Sequence, residues 1–309
     1  MSEVVPHEFM DLHTGEKSYT ALHAAMVDLV MSVRTIRQTS LLLYLKKALV
    51  TLYIDQEQDP STIESLRSLV QSDDPLPDVD LSILSTILTS INTRLEPLDM
   101  EIAESKDMDD SSVNIFSFVN KKPTGAIRLS TKYSQNDVQL VKQVIERIFA
   151  SEYVNSASAT DEEGTVHPRI TFSVPCMKMI KYLRDGPRQL DDDDAPVINR
   201  FTLEEADLFL KDLECYGWLE RNLNNYTLAP RGLVELKKYL IDTYGKCPEG
   251  TVSVCYGCGD ILTRGIACSN ASCHVHFHRY CCELVQKSRD DNSCPNDGCS
   301  ETFESFYSF

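Results

Sequence analysis

From Cys255 to Cys299 the chain sets out soft donors in a fixed order: Cys255-x2-Cys258, nine residues, Cys268-x4-Cys273, four residues, His278-x2-Cys281, twelve residues, and Cys294-x4-Cys299. Donors separated by such short turns converge on one ion, and zinc takes four thiolate or imidazole ligands in a tetrahedron. Eight ligands therefore predict two zinc ions. With every coordination position filled by protein, both ions are expected to be structural, since neither keeps a place for a reacting water. A segment of about 50 residues cannot bury an adequate apolar core, so the metal becomes part of its folding energy.

Interleaved pairing braces such a segment most completely. It puts Cys255, Cys258, His278 and Cys281 on one ion and Cys268, Cys273, Cys294 and Cys299 on the other; sequential pairing is the alternative. Spare donors leave choices open at this stage: His274 or His276 could replace His278, and Cys282 could replace Cys281. The widened Cys294-x4-Cys299 gap predicts a bulged second site, and Cys247 is expected to stay unliganded. Eight of the eleven cysteines lie beyond residue 254, and Met1 to Met10 lack a basic stretch leading into an apolar one. That clustering favours metal over disulfides and a reducing compartment. No run approaches the roughly 20 apolar residues that span a bilayer, so no membrane association is expected.

A chain of 309 residues is long enough for two or three cores. Leu22, Met26, Leu29, Val30 and Val33 recur at helical spacing, and a second apolar run starts at Leu41 behind Thr39 and Ser40. A third helical stripe follows Asp80 through Ile83, Leu84, Ile87, Leu88, Ile91 and Leu95 until Pro97 stops it. The period then changes to two: Leu98, Met100 and Ile102 alternate with polar residues, and Val113, Ile115 and Phe116 resume beyond a polar turn. Three helices followed by a hairpin is the order of a winged helix.

The same order returns downstream. Ser134 caps a helix carrying Val138, Val141, Ile145, Ile148 and Phe149, with Asp137 as its capping-box partner. Residues 152–169 are polar and aperiodic and read as a loop, and Asp191 to Asp194 as a solvated one. A short helix runs from Pro175 to Leu183, and Thr202 caps a third with Ala206, Phe209, Leu210 and Leu213 on its apolar face. Trp218 and Leu219 open a strand, Asn224 and Asn225 supply the turn, and Tyr226 to Leu228 return. A closing helix, Leu233 to Tyr239, leads through Gly245, Pro248 and Gly250 into the cysteine-rich segment. The expected fold is α+β: winged helices over 1–120 and 121–245, then a zinc-stabilised domain over 246–309.

Charge narrows the function. With 47 acidic against 30 basic residues the formal charge is -17, which repels a phosphate backbone. The third helix of the second repeat carries Glu204, Glu205, Asp207, Asp212 and Glu214 against Lys211 alone, unsuited to a major groove. Little autonomous DNA binding is expected. No phosphate loop, Ser/His/Asp set or paired-carboxylate motif points to a hydrolase.

The tandem winged-helix pattern, the blocks Ser134 to Ala150 and Leu213 to Tyr244, and the closing order of four cysteines, one histidine and three cysteines resemble the non-SMC element one family. That family supplies the RING-like subunit of the SMC five/six genome-maintenance complex. The resemblance implies a nuclear protein acting in DNA repair by homologous recombination. Its implied partners are a MAGE-type winged-helix subunit (non-SMC element three), a kleisin (non-SMC element four) and a ubiquitin-conjugating enzyme. RING-type ligases hold a conjugating enzyme's ubiquitin thioester in a reactive pose, so their acceleration comes from orientation. The resemblance maps the conjugating-enzyme groove onto Tyr256 and Pro295, with Ile261 and Leu262 after the first ligand pair. Ser300 and Glu301 stand where ordinary RING ligases carry a cation. The alternative is a non-catalytic interaction and assembly subunit, as with plant-homeodomain fingers of the same ligand order. Histone readers carry an aromatic residue two places before the seventh ligand, where this chain has Asn292.

Overall fold

The computed structural model describes residues 5–15, 19–74, 79–108, 110, 112–121, 133–150, 155–160, 166–186, 201–270 and 272–309. The fold is α+β and divides into two compact units, Met1–Ser105 with Val113–Lys121, and Lys106–Ser112 with Lys122–Phe309. Among the described residues no helix is long and apolar enough to cross a membrane.

The first unit contains α1 (His7–Thr14), α2 (Ala21–Val33), β1 (Thr35–Arg37), α3 (Gln38–Ile54), α4 (Pro60–Gln71), α5 (Leu81–Leu95), β2 (Met100–Lys106) and β3 (Asn114–Asn120). The predicted stripes are its core: Leu22, Met26, Leu41, Leu45, Leu84, Ile87 and Ile91 are buried together. Helix α3 starts before Thr39 and Ser40, which occupy its first turn, because β1 runs directly into it. Two helices escaped the sequence reading. Of these, α4 had a legible start: Asp59 accepts from the Thr62 amide at 3.0 Å, and Pro60 opens the first turn.

The second unit repeats the design with α6 (Gln135–Phe149), β6 (Val174–Pro175), α7 (Cys176–Asp185), α8 (Leu203–Cys215), β7 (Leu219–Asn222) and β8 (Asn225–Leu228). The expected capping box of Ser134 with Asp137 is present, and the cap expected at Thr202 is likewise a capping box, closed by Glu205. The two sheets share one strand order, β1-β3-β2 and β6-β8-β7, with the short leading strand beside the returning arm of the hairpin. This common topology is the winged helix, used twice.

Three sequence readings need correction here. Within the stretch read as loop, β4 (Asn155–Thr160) and β5 (Val166–Thr171) pair antiparallel. Main-chain hydrogen bonds make that ladder. β4 offers only Ala157 and Ala159 between polar residues, and the alternation of Val166, Pro168 and Ile170 in β5 is centred on a proline, which reads against a strand. The closing helix is two helices, α9 (Pro230–Glu235) and α10 (Lys237–Tyr244), broken at Leu236. Gly232 permits the close seating of α9, because a Cβ there would lie 2.8 Å from the Trp218 carbonyl oxygen. At the wing tip, the left-handed position is Leu223 (φ 54°), one residue ahead of the expected asparagine turn. The run Asp191 to Asp194 lies outside the described residues.

The zinc segment follows as β9 (Ile266–Ala267), β10 (His276–Phe277), α11 (Arg279–Lys287) and β11 (Tyr307–Ser308), with sheet order β10-β9-β11. Its small core holds Leu262, Val275, Phe277 and Phe303 among the cysteines. The aromatic tail packs inward: Phe303 and Phe306 stack beside Phe277, and Phe309 exchanges two main-chain hydrogen bonds with Gly265.

Candidate metal centre

Two groups of donors assemble from four loops. Cys255, Cys258, His278 and Cys281 form one, and Cys268, Cys273, Cys294 and Cys299 the other; within each, the ligand atoms all lie within 4.8 Å of one another. These are the interleaved sets. The spare donors stand outside both: His274 Nδ1 lies 3.6 Å from Cys247 Sγ, and the buried His276 ring packs edge-on against Phe309. Cys282 is buried and belongs to neither set.

Local structure explains the convergence. Cys255 and Cys258 flank a tight turn closed by the Gly259 amide donating to the Cys255 carbonyl. His278 is the N-cap residue of α11, so Cys281 follows on the first helical turn and faces the same point. The imidazole Nδ1 is 3.3 Å from Cys258 Sγ and 3.9 Å from Cys281 Sγ. In the second group Cys268 and Cys299 are 3.7 Å apart and Cys273 and Cys294 3.6 Å. A disulfide would need about 2 Å. Two sulfurs each about 2.3 Å from a tetrahedral ion sit about 3.8 Å apart. The spacing therefore fits metal, and the soft donor set fits zinc.

The electrostatics show what a cation would relieve. Hydrogen bonds from Cys258 and Cys281 favour the Cys255 thiolate and hold its pKa far below that of an ordinary thiol. Burial works against a charged His278, but hydrogen bonds to Cys255 and Cys258 outweigh it and carry the imidazole up to about 9. Burial pushes the Cys294 thiol up to about 12. Displacing these protons is part of loading such a site.

The two four-residue gaps are built alike. The Asn270 carbonyl accepts from the Cys273 amide and the Asn296 carbonyl from the Cys299 amide, each at 2.8 Å. Each asparagine also caps its own turn through Oδ1, to the amides of Ser272 at 2.9 Å and Gly298 at 3.3 Å.

A profile of the Nse1 non-SMC component of the SMC5-6 complex matches residues 37–236, and a RING-like domain profile matches residues 255–297. The chain belongs to the Nse1 family. It is 24% identical to the human non-structural maintenance of chromosomes element 1 homolog over 213 residues, covering 69% of this chain and 67% of that protein. The Xenopus laevis homolog is 21% identical over 213 residues, 69% of this chain and 65% of that protein. In fold, the chain resembles one in a solved Nse1-Nse3-Nse4 complex with a TM-score of 0.59 at 16% identity, covering 92% of this chain and 97% of that one.

The four residues expected at a conjugating-enzyme groove separate into two kinds. Tyr256 is 56% exposed, its ring near Phe277 and its hydroxyl 3.4 Å from the Pro295 carbonyl oxygen, and Pro295 itself is buried beneath it. Ile261 and Leu262 line no surface: both are buried, Ile261 in the core of the second winged helix and Leu262 in the zinc core. On α11, Leu284 is 48% exposed, an apolar residue that the sequence reading did not single out. Its signal was available, since it falls six residues after the histidine ligand, on the outer face of the helix that histidine begins. Glu301, beyond the last ligand, accepts from Ser269 Oγ at 3.1 Å.

Proposed function

We propose that the chain is a RING-type ubiquitin ligase subunit of a nuclear SMC five/six complex, acting in DNA repair and homologous recombination. It carries two structural zinc ions, one on Cys255, Cys258, His278 and Cys281 and one on Cys268, Cys273, Cys294 and Cys299. Its partners are a MAGE-type winged-helix subunit (Nse3) and a kleisin (Nse4), the subunits named with the Nse1 chain in the solved complex. The three-domain division at residues 120 and 245 is part of this reading.

The observation that carries it is the pair of interleaved donor groups in a segment that also exposes Tyr256, inside the first ligand pair, and Leu284, on the helix that His278 begins. A closed, metal-braced scaffold that exposes apolar side chains can hold a conjugating enzyme and restrict its thioester to reactive poses. Rate then comes from lost orientational freedom, not from a side-chain nucleophile. The second reading is an assembly subunit without ligase activity, favoured by Ser300 and Glu301 in place of a cation and by the engagement of Glu301 with Ser269. Ubiquitin discharge from a panel of charged conjugating enzymes, measured with and without the MAGE-type partner, separates them. Stimulation that disappears in Tyr256→Ala and Leu284→Ala supports the ligase. No stimulation in any combination leaves the assembly subunit.

A further inference from the structure

The loop carrying the first ligand pair is held from outside the zinc segment. The Asp260 carbonyl accepts from the Cys255 amide at 2.8 Å, while the Asp260 carboxylate takes the Lys237 ammonium of α10 at 2.8 Å. One residue thus touches a metal ligand with its main chain and the winged helix with its side chain. Next along, Ile261 is 2% exposed and belongs to the same buried core as Leu236 and Leu240 of the second winged helix. Three residues later, Arg264 reaches Glu220 on the wing strand β7 at 2.6 Å, both side chains largely shielded from water. On the near side, Thr251 Oγ1 donates to the Phe149 carbonyl of α6 at 2.5 Å, and Val252 is completely buried in the winged-helix core.

We propose that the second winged helix is the outer support of the first metal cluster, with Glu220, Lys237 and the pocket for Ile261 positioning the Cys255–Arg264 loop. This rests on the assignment of that cluster as a zinc site. A ligand pair held in place before the ion arrives loses less freedom on binding, so zinc affinity depends on winged-helix residues that touch no metal. Linkage makes the dependence mutual: the ion, by fixing the loop, stabilises the core into which Ile261 is inserted. Lys237 and Asp260 are both 40% exposed, so their pair is the weaker tie. Ile261 and the Arg264–Glu220 pair carry most of the effect.

Trp218 makes this measurable. It is the sole tryptophan, 4% exposed, two residues from Glu220, with the Arg231 guanidinium 4.6 Å above its ring. In the zinc-loaded full chain, release to a chromogenic chelator is followed together with Trp218 emission. Ile261→Ala should speed release of one of two ions at least about tenfold, the scale of a truncated core residue, and leave the other unchanged. Glu220→Ala should act in the same direction, and the exchanged pair Glu220→Arg with Arg264→Glu should restore slow release. Wild-type emission should shift to the red in the step that removes the faster ion. Should Ile261→Ala not fold, Glu220→Ala and the exchanged pair decide alone. Release rates within twofold of wild type, or a Trp218 emission unmoved after both ions have left, overturn the proposal. A chain that binds no zinc at all overturns instead the metal assignment beneath it.

Discussion

Asn270 and Asn296 hold each other's cysteines: Asn270 Nδ2 donates to Cys299 Sγ at 3.7 Å, and Asn296 Nδ2 donates to Cys273 Sγ at 3.5 Å. Each asparagine shapes the turn before its own cysteine and reaches across to the other turn's sulfur, so the second donor group is cross-tied by side-chain amides. Such N–H to sulfur bonds stabilise thiolates, and losing an outer-shell partner weakens metal binding by about 10- to 100-fold. Asn296→Ala should therefore weaken one ion of the two by about that factor, measured by chelator competition. Asn270→Asp should weaken it further, because a carboxylate beside Cys299 repels the thiolate. Unchanged affinity in both would mean that the amides only shape turns.

Metal content tests the grouping directly. Native mass spectrometry should find two zinc ions per chain, one in Cys255→Ser, one in Cys294→Ser, and none in the double variant. The double variant of Cys255 and Cys268 separates the pairings: interleaved sets lose both ions, whereas sequential pairing puts both cysteines on one ion and keeps the other, so a retained ion overturns the interleaved assignment.

In the first unit, acid should act through a buried histidine. His23 is completely buried, its Nδ1 accepts from the Thr20 amide at 3.1 Å, and burial lowers its pKa below 6.5, helped by repulsion from His13 and Arg94. A folded-state value below the unfolded one favours the neutral ring, so this stabilisation is present above about pH 6.5 and is lost as pH falls. Amide exchange in α2 should accelerate between about pH 7 and 5 beyond its intrinsic pH dependence. In His23→Gln, which keeps a capping side chain at the third position, that extra acceleration should be smaller.

Lys46 makes a second local test. The residue is 1% exposed, and its ammonium donates to the Ser72 carbonyl at 2.9 Å, Ser72 Oγ at 3.1 Å and the Asp74 carbonyl at 2.5 Å, closing the C-terminal end of α4. Lys46→Met keeps the length but removes the charged donor that ties the Ser72 and Asp74 carbonyls to α3. Chemical denaturation should show a loss of about 2–3 kcal/mol in the N-terminal unit.

At the wing tip, Leu223 is 91% exposed in the left-handed region, where a leucine side chain gains nothing by burial and strains its own backbone. Leu223→Asn should raise the stability of the second unit by about 1 kcal/mol, and Leu223→Val should lower it. Melting followed by Trp218 emission reads both.

Much of this was written locally. The capping box at Ser134, the cap at Thr202, the stripes of α2 and α5, and the wing at Tyr226 each depend on residues within one turn or one alternation, so spacing revealed them. The donor order likewise revealed the members of the two donor groups, because the turns between them are short. What spacing could not reveal depends on distant partners. β1 and β6 are two or three residues long and exist only because β3 and β8 lie beside them. The reach of Asn270 to Cys299 leaves no pattern in either neighbourhood. Ile261 and Leu262 looked like one apolar pair, whereas consecutive side chains of extended backbone point to opposite sides, here into different cores.

The shared strand order also sets a timetable for synthesis. In each sheet the middle strand is made last: Ile36 waits for Phe116, and Val174 waits for Tyr226. Closing such long loops early costs entropy before any ladder repays it, so a growing chain must keep its first helices soluble without a sheet to cover them. For the second repeat the wait is longer still, because the residue that completes its core, Ile261, emerges only with the ligand loop. A chain extruded from the ribosome only as far as Leu228 would thus display α6 to β8 over a core still missing Leu233, Leu236, Leu240 and Ile261, the state in which it most needs a chaperone.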